Sequence, residues 1–320
     1  MRTLRLLADD LTGALDSAAR FVPLTGPLPV TWQNAQVPHS AAIDSGTRDL
    51  SAAAAQVAIA RFAPLLQGAD IAFKKVDSLL RGHVALELAA CMRFFDHCVL
   101  APAFPFQGRI TRNGRQLVRD GDNWRDTGVT LPHMRDAETD ADLDAIAAEA
   151  RALPGHVLWC GTGGLAGALA GHLPVPRPFL PPPILALIGT DHPVSRAQIA
   201  QVPPHRRAAV ITCDMPPDTD RRAARQHIGT TFATLLRQAD RPGTLLVTGG
   251  ETLRDLCEAL GVSHLEVDGE LEPGVPTSIM RGGAWDSQRL ISKSGAFGDA
   301  SFLARLLAES ESPPPLAGGG

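Results

Sequence analysis

The chain has 320 residues, 44% of them hydrophobic, which is enough for two domains that each bury a core. Its formal net charge of −4 argues against a nucleic-acid partner, and no apolar run approaches the roughly 20 residues that span a bilayer. Five scattered cysteines without a C-x-x-C pair are typical of reduced thiols. We therefore expect a cytoplasmic protein with no disulfide framework, no metal site of its own and no membrane partner.

Short apolar runs alternate with helical patterns through the first half of the chain. The runs predict strands, and apolar residues at helical spacing predict the helices between them. Strands are predicted at 4–8, 41–43, 71–73, 98–101 and 157–160, and helices around 15–22 and at 51–66, 84–95 and 140–152. This alternation is typical of a layered α/β fold.

A proline cluster at 174–183 interrupts the alternation and predicts a stiff, extended linker. Beyond it, strands are predicted at 184–188, 208–213 and 244–247, with helices from about 195, at 219–240 and up to 260. We predict two α/β domains, 1–173 and 184–309, each a layered sheet with flanking helices. The Pro/Gly-rich tail at 310–320 is predicted to be disordered.

The strongest local feature is a paired-glycine turn, Gly249-Gly250, between the strand at 244–247 and a helix that continues to Leu260. Such a turn presents backbone N–H groups and a helix N-terminus at the carboxyl end of a strand, where anionic ligands bind in open α/β sheets. An ordinary tight turn is the alternative.

A second glycine loop, 292–299, also joins an apolar segment to a helix. Lys293 can contact phosphate oxygens, Gly295 and Gly298 allow close backbone approach, and Asp299 can cap the helix or serve a hydroxyl. Two such loops favour a nucleotide site. The chain has no G-x-x-x-x-G-K-[ST] motif, which excludes a P-loop ATPase.

Residues 161–166 match a relaxed dinucleotide fingerprint after a predicted strand. A dinucleotide site needs an acidic residue further along to bind the ribose. No Asp or Glu occurs between Glu149 and Asp191, so an NAD-dependent dehydrogenase is the less favoured alternative.

Charged residues recur at the strand ends of the first half. Asp9 and Asp10 follow the first strand, and two adjacent carboxylates are costly unless a cation, a metal or a hydroxylated ligand compensates them. Arg48, the segment 74–82 and Arg109 follow other strands, and their cations can jointly bind a carboxylate. A helix cap by Asp10 and solvated surface charge are the alternatives.

Seven ordered blocks resemble the four-carbon acid sugar kinases, the family of 3-oxo-tetronate, D-threonate and D-erythronate kinases. The blocks are Ala8–Ala14, Asp44–Arg48, Lys74–Gly82, Ala101–Arg109, Thr248–Thr252, Glu272–Pro276 and Lys293–Asp299. The resemblance implies an N-terminal domain that binds the sugar acid, a C-terminal domain that binds ATP, and an active site in the cleft between them.

The resemblance and the strand-end residues together give two sets of expected contacts. The expected sugar-acid contacts are Asp9, Asp10, Arg48, Lys75, Asp77, Ser78, Arg81 and Arg109. The expected nucleotide contacts are Thr190, His192, Gly249, Gly250, Glu251, Thr252, Lys293, Gly295 and Gly298.

The chain departs from the family pattern in three places. It is shorter than is usual, mainly between Val118 and Asp136. The turn at 189–193 stands where the family has a serine-rich turn, and Leu79 replaces a threonine. A non-catalytic sensor of sugar acids is therefore a further alternative to the kinase.

The expected mechanism is ATP-dependent phosphorylation of a hydroxyl, with Mg²⁺ bridging the phosphates. Arg81 and Arg48 are expected to anchor the substrate carboxylate, and Asp10 or Asp299 to accept the hydroxyl proton. The sequence leaves the identity of the acid open, as well as the oligomeric state, for which a homodimer is the assembly considered.

Overall fold

A computed structural model describes residues 2–32, 38–213 and 221–309, and these form a layered α/β structure. The strands are β1 (Leu4–Ala8), β2 (Leu28–Thr31), β3 (Ala41–Asp44), β4 (Ile71–Lys75), β5 (His97–Ala101), β6 (Arg109–Arg112), β7 (Arg115–Asp120), β8 (Asn123–Asp126), β9 (Val157–Gly161), β10 (Ile184–Ile188), β11 (Val210–Thr212), β12 (Thr244–Thr248), β13 (His264–Glu270), β14 (Pro276–Arg281) and β15 (Arg289–Lys293). The α-helices are α1 (Leu11–Thr25), α2 (Ala52–Phe62), α3 (Val84–Met92), α4 (Asp140–Arg151), α5 (Gly163–Leu169), α6 (Pro193–Ala200), α7 (Arg221–Gln238), α8 (Gly250–Ala259) and α9 (Phe302–Glu309).

Side-chain caps fix where several helices begin. The Asp10 side chain accepts a hydrogen bond from Gly13 N at 2.9 Å, which starts α1. Ser51 caps α2, and Thr139 with Asp142 forms a capping box at α4. None of the described helices is both long and apolar enough to cross a membrane.

The predicted strands and helices are found, with shifted ends. The helix predicted at 84–95 ends at Met92, and the one predicted at 51–66 continues beyond Phe62 as a 3₁₀ turn. The tail at 310–320 and the start of the helix predicted at 219–240 lie outside the described residues. Sequence analysis did not predict β2, the small sheet β6–β8, β13 or β14, since these strands are short or strongly polar.

Twelve strands form one sheet in the order β11-β10-β12-β15-β14-β13-β2-β3-β1-β4-β9-β5. The two halves of the chain therefore do not have separate sheets. They are joined by the antiparallel pairing of β2 with β13, in which Leu28, Pro29 and Val30 face Val267, Glu266 and Leu265. The strands β6–β8 form a separate antiparallel sheet.

The helices cover the two faces of the long sheet differently. On one face, α1, α4, α5, α7 and α8 share a single apolar core that runs through both halves. On the other face, α2 and α3 pack on the N-terminal half, and α6 and α9 pack on the C-terminal half, in two separate cores. One shared core and one shared sheet tie the two halves together.

Sheet twist brings the two sets of strand ends together. The parallel strands of the two halves run in opposite directions along the sheet, because β13 and β14 are each antiparallel to both of their neighbours. Six steps separate β1 from β12, and a twist of about 20–25° per step accumulates to roughly 120–150°. This rotation allows the loops at the carboxyl ends of both sets to face one cleft.

The shared core predicts that both halves unfold together. Leu265 is fully buried at the β2–β13 pairing, so Leu265→Ala should cost about 2–5 kcal/mol of unfolding free energy. Calorimetry should show a single transition that moves as a whole to lower temperature. The control Val57→Ala, at a position 75% exposed on α2, should leave the transition in place. Two resolved transitions, only one of them shifted, would contradict a single cooperative unit.

Candidate active site

A cleft of about 1160 Å³ lies between the two halves. Its walls are the loops at the carboxyl ends of β1, β3, β4 and β9 on one side and of β10, β11, β12 and β15 on the other. The cleft contains every site residue expected from the sequence except Asp9, Gly298 and Asp299. Strand-end loops that are far apart in sequence therefore meet at one site.

Arg48 holds the adjacent carboxylates of Asp9 and Asp10. Its Nε and Nη2 donate to the two oxygens of Asp9, each at 2.8 Å, and its Nη1 donates to Asp10 Oδ2. Asp9 is only 2% exposed and lies beneath the cleft lining. Burial alone would raise the pKa of Asp9, but the charges of Arg48 and Lys74 hold it below its ordinary value.

This pairing changes the role expected of Arg48. Its guanidinium also lies 3.6 Å from Asp77 and its side chain is 14% exposed. A cation surrounded by three carboxylates has little capacity left for a ligand. Arg48 thus supplies the compensation that the adjacent aspartates require.

The loop after β4 presents Arg81 to the cleft. Asp77 accepts from Arg81 Nε at 2.9 Å and Nη2 at 2.7 Å, as well as from the backbone amides of Leu79 and Arg81, each at 3.1 Å. Burial would raise the pKa of Asp77, but the hydrogen bonds from the Arg81 side chain and the charge of nearby Arg48 hold it well below its ordinary value. The Arg81 side chain remains 62% exposed, so it is oriented but still accessible.

The neighbouring lysines of β4 point to opposite faces of the sheet, as strand geometry requires. Lys74 is fully buried and pairs with Glu87 at 2.7 Å, away from the cleft. Lys75 lines the cleft, where its Nζ donates to Val76 O at 2.9 Å. Ser78 also lines the cleft. Only Lys75 of the two lysines is placed to contact a ligand.

Arg109, at the start of β6, is a second accessible cation. Its Nη1 donates to Gln107 O, and its guanidinium carbon lies 5.8 Å from the centre of the Phe297 ring. The buried Nε has no hydrogen-bond partner among the described residues, and burial lowers the pKa of this guanidinium. Gln107 Nε2 also donates across the cleft to Pro273 O at 3.0 Å. The small sheet thus carries a cation with unused donor capacity into the cleft.

The paired-glycine turn lies directly against the first half of the chain. Gly249 has a φ of 107°, which L side chains rarely adopt, and it offers no side chain to cap α8. A β-carbon on Gly250 would lie 2.9 Å from Thr12 Oγ1 and 3.6 Å from Asp10 Oδ2. The N-termini of α1 and α8 therefore meet in the cleft, together with Glu251 and Thr252 of the first turn of α8.

Two further loops of the second half form the adjacent wall. Thr190 Oγ1 accepts from His192 N at 3.3 Å, and His192 caps α6 through Val194 N, also at 3.3 Å. Burial lowers the pKa of His192. A β-carbon on Gly295 would lie 2.8 Å from Thr190 Oγ1, so the two loops pack closely together.

Lys293 organises the loop that follows β15. Its Nζ donates to the carbonyls of Ser294 at 3.0 Å and Phe297 at 2.9 Å, and burial lowers its pKa to about 8. Ser195 and Gln198 of α6 donate to carbonyls of the same loop. Several side chains therefore hold the loop in place. Lys293 stabilises the conformation of the loop and also gives it a positive charge.

Asp299 lies outside the cleft lining. Its carboxylate accepts from Ser301 N at 2.7 Å and from Arg305 Nη1 at 2.9 Å, at the start of α9. Hydrogen bonds from Arg305 and Ser301 hold its pKa well below the ordinary value. Gly298 packs on Phe302 of the same helix. This is the helix-capping alternative for Asp299. Asp10 also caps a helix, α1, but it lies in the cleft lining beside the glycine turn.

An ion pair also crosses between the halves near the cleft. Arg254 Nη1 on α8 donates to Asp44 Oδ2 at the end of β3, at 3.0 Å. Burial raises the pKa of Asp44 to about 6, and Arg254 offsets this only in part. The pair fixes α8 against the N-terminal half.

Sequence analysis missed several residues that line the cleft: Asp16 on α1, Phe104, Thr162, Arg125 on β8 and Phe297. Asp16 gave the clearest signal, since it is an acid among the apolar residues of a helix that packs into a core. Arg125 gave none, because the small sheet that carries it was not predicted.

The glycines of the dinucleotide-like segment serve packing. A β-carbon on Gly161 would lie 2.6 Å from Ala101 O, and one on Gly164 would lie 2.7 Å from Ala103 O. Every residue of α5 is buried. These contacts account for the pattern without a dinucleotide.

Within the described residues, no group of three or more His, Cys, Asp or Glu side chains could hold a metal ion.

Two family models match separate parts of the chain. One family model, a sugar-binding N-terminal domain, matches residues 4–134, and another, a nucleotide-binding C-terminal domain, matches residues 205–303. The chain is 29% identical to a D-threonate kinase of Cupriavidus necator, with 98% of this chain and 99% of the relative covered. That alignment runs over 419 residues, so part of the relative has no counterpart among the 320 residues here.

Two further relatives are a D-threonate kinase of Salmonella typhimurium and a 3-oxo-tetronate kinase of Cupriavidus necator. The first is 24% identical, covering 94% of this chain and 97% of the relative. The second is 26% identical, covering 79% of this chain and 58% of the relative.

Solved structures share the fold. A Salmonella typhimurium LT2 structure described as a tRNA synthase has a TM-score of 0.68 at 20% identity, with 97% of this chain and 100% of that chain covered. A Haemophilus influenzae protein of a family of unknown function has a TM-score of 0.65 at 19% identity, with 96% and 100% covered.

The charge cluster under the cleft yields a stability prediction. Arg48→Ala leaves the carboxylates of Asp9 and Asp10 without their cation, which should cost about 3–5 kcal/mol of unfolding free energy at neutral pH. Because the folded-state pKa of Asp9 is depressed, its contribution is present above the unfolded pKa and lost as pH falls. The difference in unfolding free energy between wild type and variant should therefore become smaller below about pH 4.

Urea unfolding of both proteins between pH 3 and pH 7 measures this gap. The control Arg115→Ala removes an arginine that is 67% exposed and paired with Asp126 on the small sheet, and it should change stability little at any of these pH values. Two results would refute the compensating role of Arg48: a loss of unfolding free energy at pH 7 as small as that of Arg115→Ala, or a loss that does not change with pH.

Proposed function

This chain belongs to the four-carbon acid sugar kinase family, and on that premise we propose that it transfers the γ-phosphoryl group of ATP to a hydroxyl of a four-carbon sugar acid. Relatives named D-threonate kinase and 3-oxo-tetronate kinase support this choice of substrate class. Their names do not decide between threonate, erythronate and 3-oxo-tetronates for this chain. A homodimer stays a prediction.

The contact between the N-termini of α1 and α8 carries the proposal. Gly250 lies against Thr12 and Asp10, so phosphates bound at the glycine turn are adjacent to a carboxylate of the other half. Phosphoryl transfer depends mainly on positioning and charge neutralisation. A cleft in which a helix N-terminus faces a carboxylate and several cations supplies both.

The second half binds ATP in this proposal. The amides at the start of α8 and the loop shaped by Lys293 surround the phosphates, with Thr190 and His192 at the side. Mg²⁺ bound to the phosphates would supply further charge neutralisation, and Asp10 and Glu251 are the nearby carboxylates that could contact its water shell.

The first half binds the sugar acid. Arg48 already donates three hydrogen bonds to Asp9 and Asp10, whereas Arg81 is 62% exposed and the Arg109 Nε has no partner among the described residues. Arg81 and Arg109 therefore replace the expected Arg81–Arg48 pair as anchors for the substrate carboxylate. Lys75 lies deeper in the cleft with N–H groups to offer to substrate oxygens. Two anchors at one end of a short acid would fix which hydroxyl faces the γ-phosphate.

The reaction forms a bond between the substrate hydroxyl oxygen and the γ-phosphorus and breaks the bond from that phosphorus to the β–γ bridging oxygen. The hydroxyl proton passes to Asp10, whose carboxylate is oriented by Thr12, Gly13 and Arg48. The products are ADP and the phosphorylated acid.

The proposal predicts ATP-dependent turnover of at least one acid in a panel of threonate, erythronate and 3-oxo-tetronates, measured as ADP release. Arg81→Ala should raise the KM for that acid at least tenfold and leave the KM for ATP nearly unchanged, since the loss of a charged hydrogen bond costs about 1.5–3 kcal/mol. Arg115→Ala, outside the cleft, should behave as wild type. No turnover with any acid, despite ATP binding, would reject the kinase and favour the sensor.

The glycine turn gives a separate prediction. Gly249→Ala places a β-carbon at a φ of 107° in the turn and should weaken ATP binding at least tenfold by calorimetric titration. Gly26→Ala is the matched control, because Gly26 also has a positive φ, 74°, but ends α1 away from the cleft. It should lose stability while keeping its ATP affinity. Equal ATP affinities in the two variants would remove the turn from the nucleotide site.

A further inference from the structure

Asp16 is a buried acid in the wall of the cleft with an unsatisfied oxygen. It is 5% exposed, and its Oδ1 has no hydrogen-bond partner among the described residues. Burial raises its pKa, and the charges of Lys75 and Arg20 offset this only in part. Buried polar atoms are nearly always paired, so this oxygen requires a partner that the described chain does not supply.

The neighbouring cations do not satisfy Asp16. Arg20 Nη1 forms an ion pair with Glu270 Oε1, at 3.0 Å, on β13. Lys75 donates to Val76 O, and among the described residues neither cation comes within 4.0 Å of the Asp16 carboxylate. Asp16 therefore differs from Asp9, Asp10 and Asp77, each of which is held by Arg48 or Arg81.

Gly163 packs against the Asp16 carboxyl in the wall of the cleft. A β-carbon on Gly163 would lie 3.1 Å from Asp16 Oδ1 and 3.0 Å from Phe104 Cζ, so any larger residue there would crowd the carboxyl. Thr162, Phe104 and Lys75 line the cleft beside it. A small polar group that enters this corner meets one carboxyl, one ammonium and an aromatic edge.

We propose that Asp16 is a substrate-binding residue that forms a hydrogen bond with a hydroxyl of the sugar acid other than the one phosphorylated, and so selects acids that carry this hydroxyl. The inference rests on the proposed function, because it takes the acceptor to be a polyhydroxylated acid. A hydroxyl both donates and accepts, so the bond forms whether the Asp16 carboxyl is charged or neutral. Sites built to bind a hydroxyl reject analogues that lack it far more strongly than apolar pockets reject an added group.

A thermodynamic cycle between Asp16 and the substrate tests this. The acid turned over by wild type is compared with its analogues lacking one hydroxyl, for wild type, Asp16→Asn and Asp16→Ala. Wild type should lose at least tenfold in kcat/KM with one analogue, and Asp16→Ala should lose a similar factor with the full acid. When Asp16→Ala acts on the analogue, the two losses in kcat/KM should not multiply, because each change alone already removes the same hydrogen bond. Losses that multiply for every analogue would overturn the inference.

The Glu270→Gln variant is the structural control, since Glu270 belongs to the same buried network but does not line the cleft. Glu270→Gln should discriminate between the full acid and the analogues as strongly as wild type does. KM for ATP should stay near the wild-type value in both Asp16 variants, which separates a substrate contact from general damage to the fold. Discrimination lost equally in Glu270→Gln would also reject the inference.

Ligand-induced stabilisation gives a reading that needs no turnover. The acid alone should raise the Tm of wild type more than the analogue does, and Asp16→Ala should respond equally to both. Absence of turnover in wild type with this difference in Tm intact would reject the kinase but keep Asp16 as an acid-binding residue. Equal responses of wild type to acid and analogue would reject the role of Asp16, whatever the outcome for the kinase.

Discussion

The pairing of β2 with β13 is the constraint on which the rest of the structure depends. Only three residue pairs join these strands, yet they make one twelve-stranded sheet from the two halves of the chain. The direction of the parallel strands reverses on either side of this joint, and the accumulated twist lets both sets of carboxyl ends face one cleft. This pairing, the core shared by α1 and α8 and the Arg254–Asp44 ion pair together fix the glycine turn at Gly249 relative to the carboxylate of Asp10.

Charge compensation then decides which groups remain available inside the cleft. Arg48 pairs with Asp9, which is buried beneath the lining, and with Asp10, which is part of the lining, so it compensates two adjacent carboxylates. Arg81 is oriented by Asp77 but stays accessible, and the buried Nε–H of Arg109 has no hydrogen-bond partner among the described residues. The ion pairs of Arg48 stabilise the conformation of the site. Arg81 and Arg109, which have N–H groups to offer to a ligand, line the cleft.

The sequence predicted the strand-end loops well, because a parallel strand and the helix after it form a local pattern of apolar spacing and turn residues. It placed Gly250 and Arg81 at such ends, and both line the cleft. It did not predict β2, β13 or the small sheet, whose short or polar strands gain their stability from partners distant in sequence. For Asp299 it left open two roles, and the contacts with Ser301 and Arg305 favour the helix cap.

The sequence by itself determined the layered α/β class, the proline-rich break after the first half, and the residue types that a sugar acid and a nucleotide would need. Only the tertiary structure decided that the two halves share one sheet and that Arg48 pairs with Asp9. It also decided that Asp16 Oδ1, in the wall of the cleft, has no hydrogen-bond partner in the part of the chain that the structure describes. The physical reason is that local spacing encodes helices and strands. The partner of a charge and the burial of a carboxyl depend instead on which distant segments pack against it.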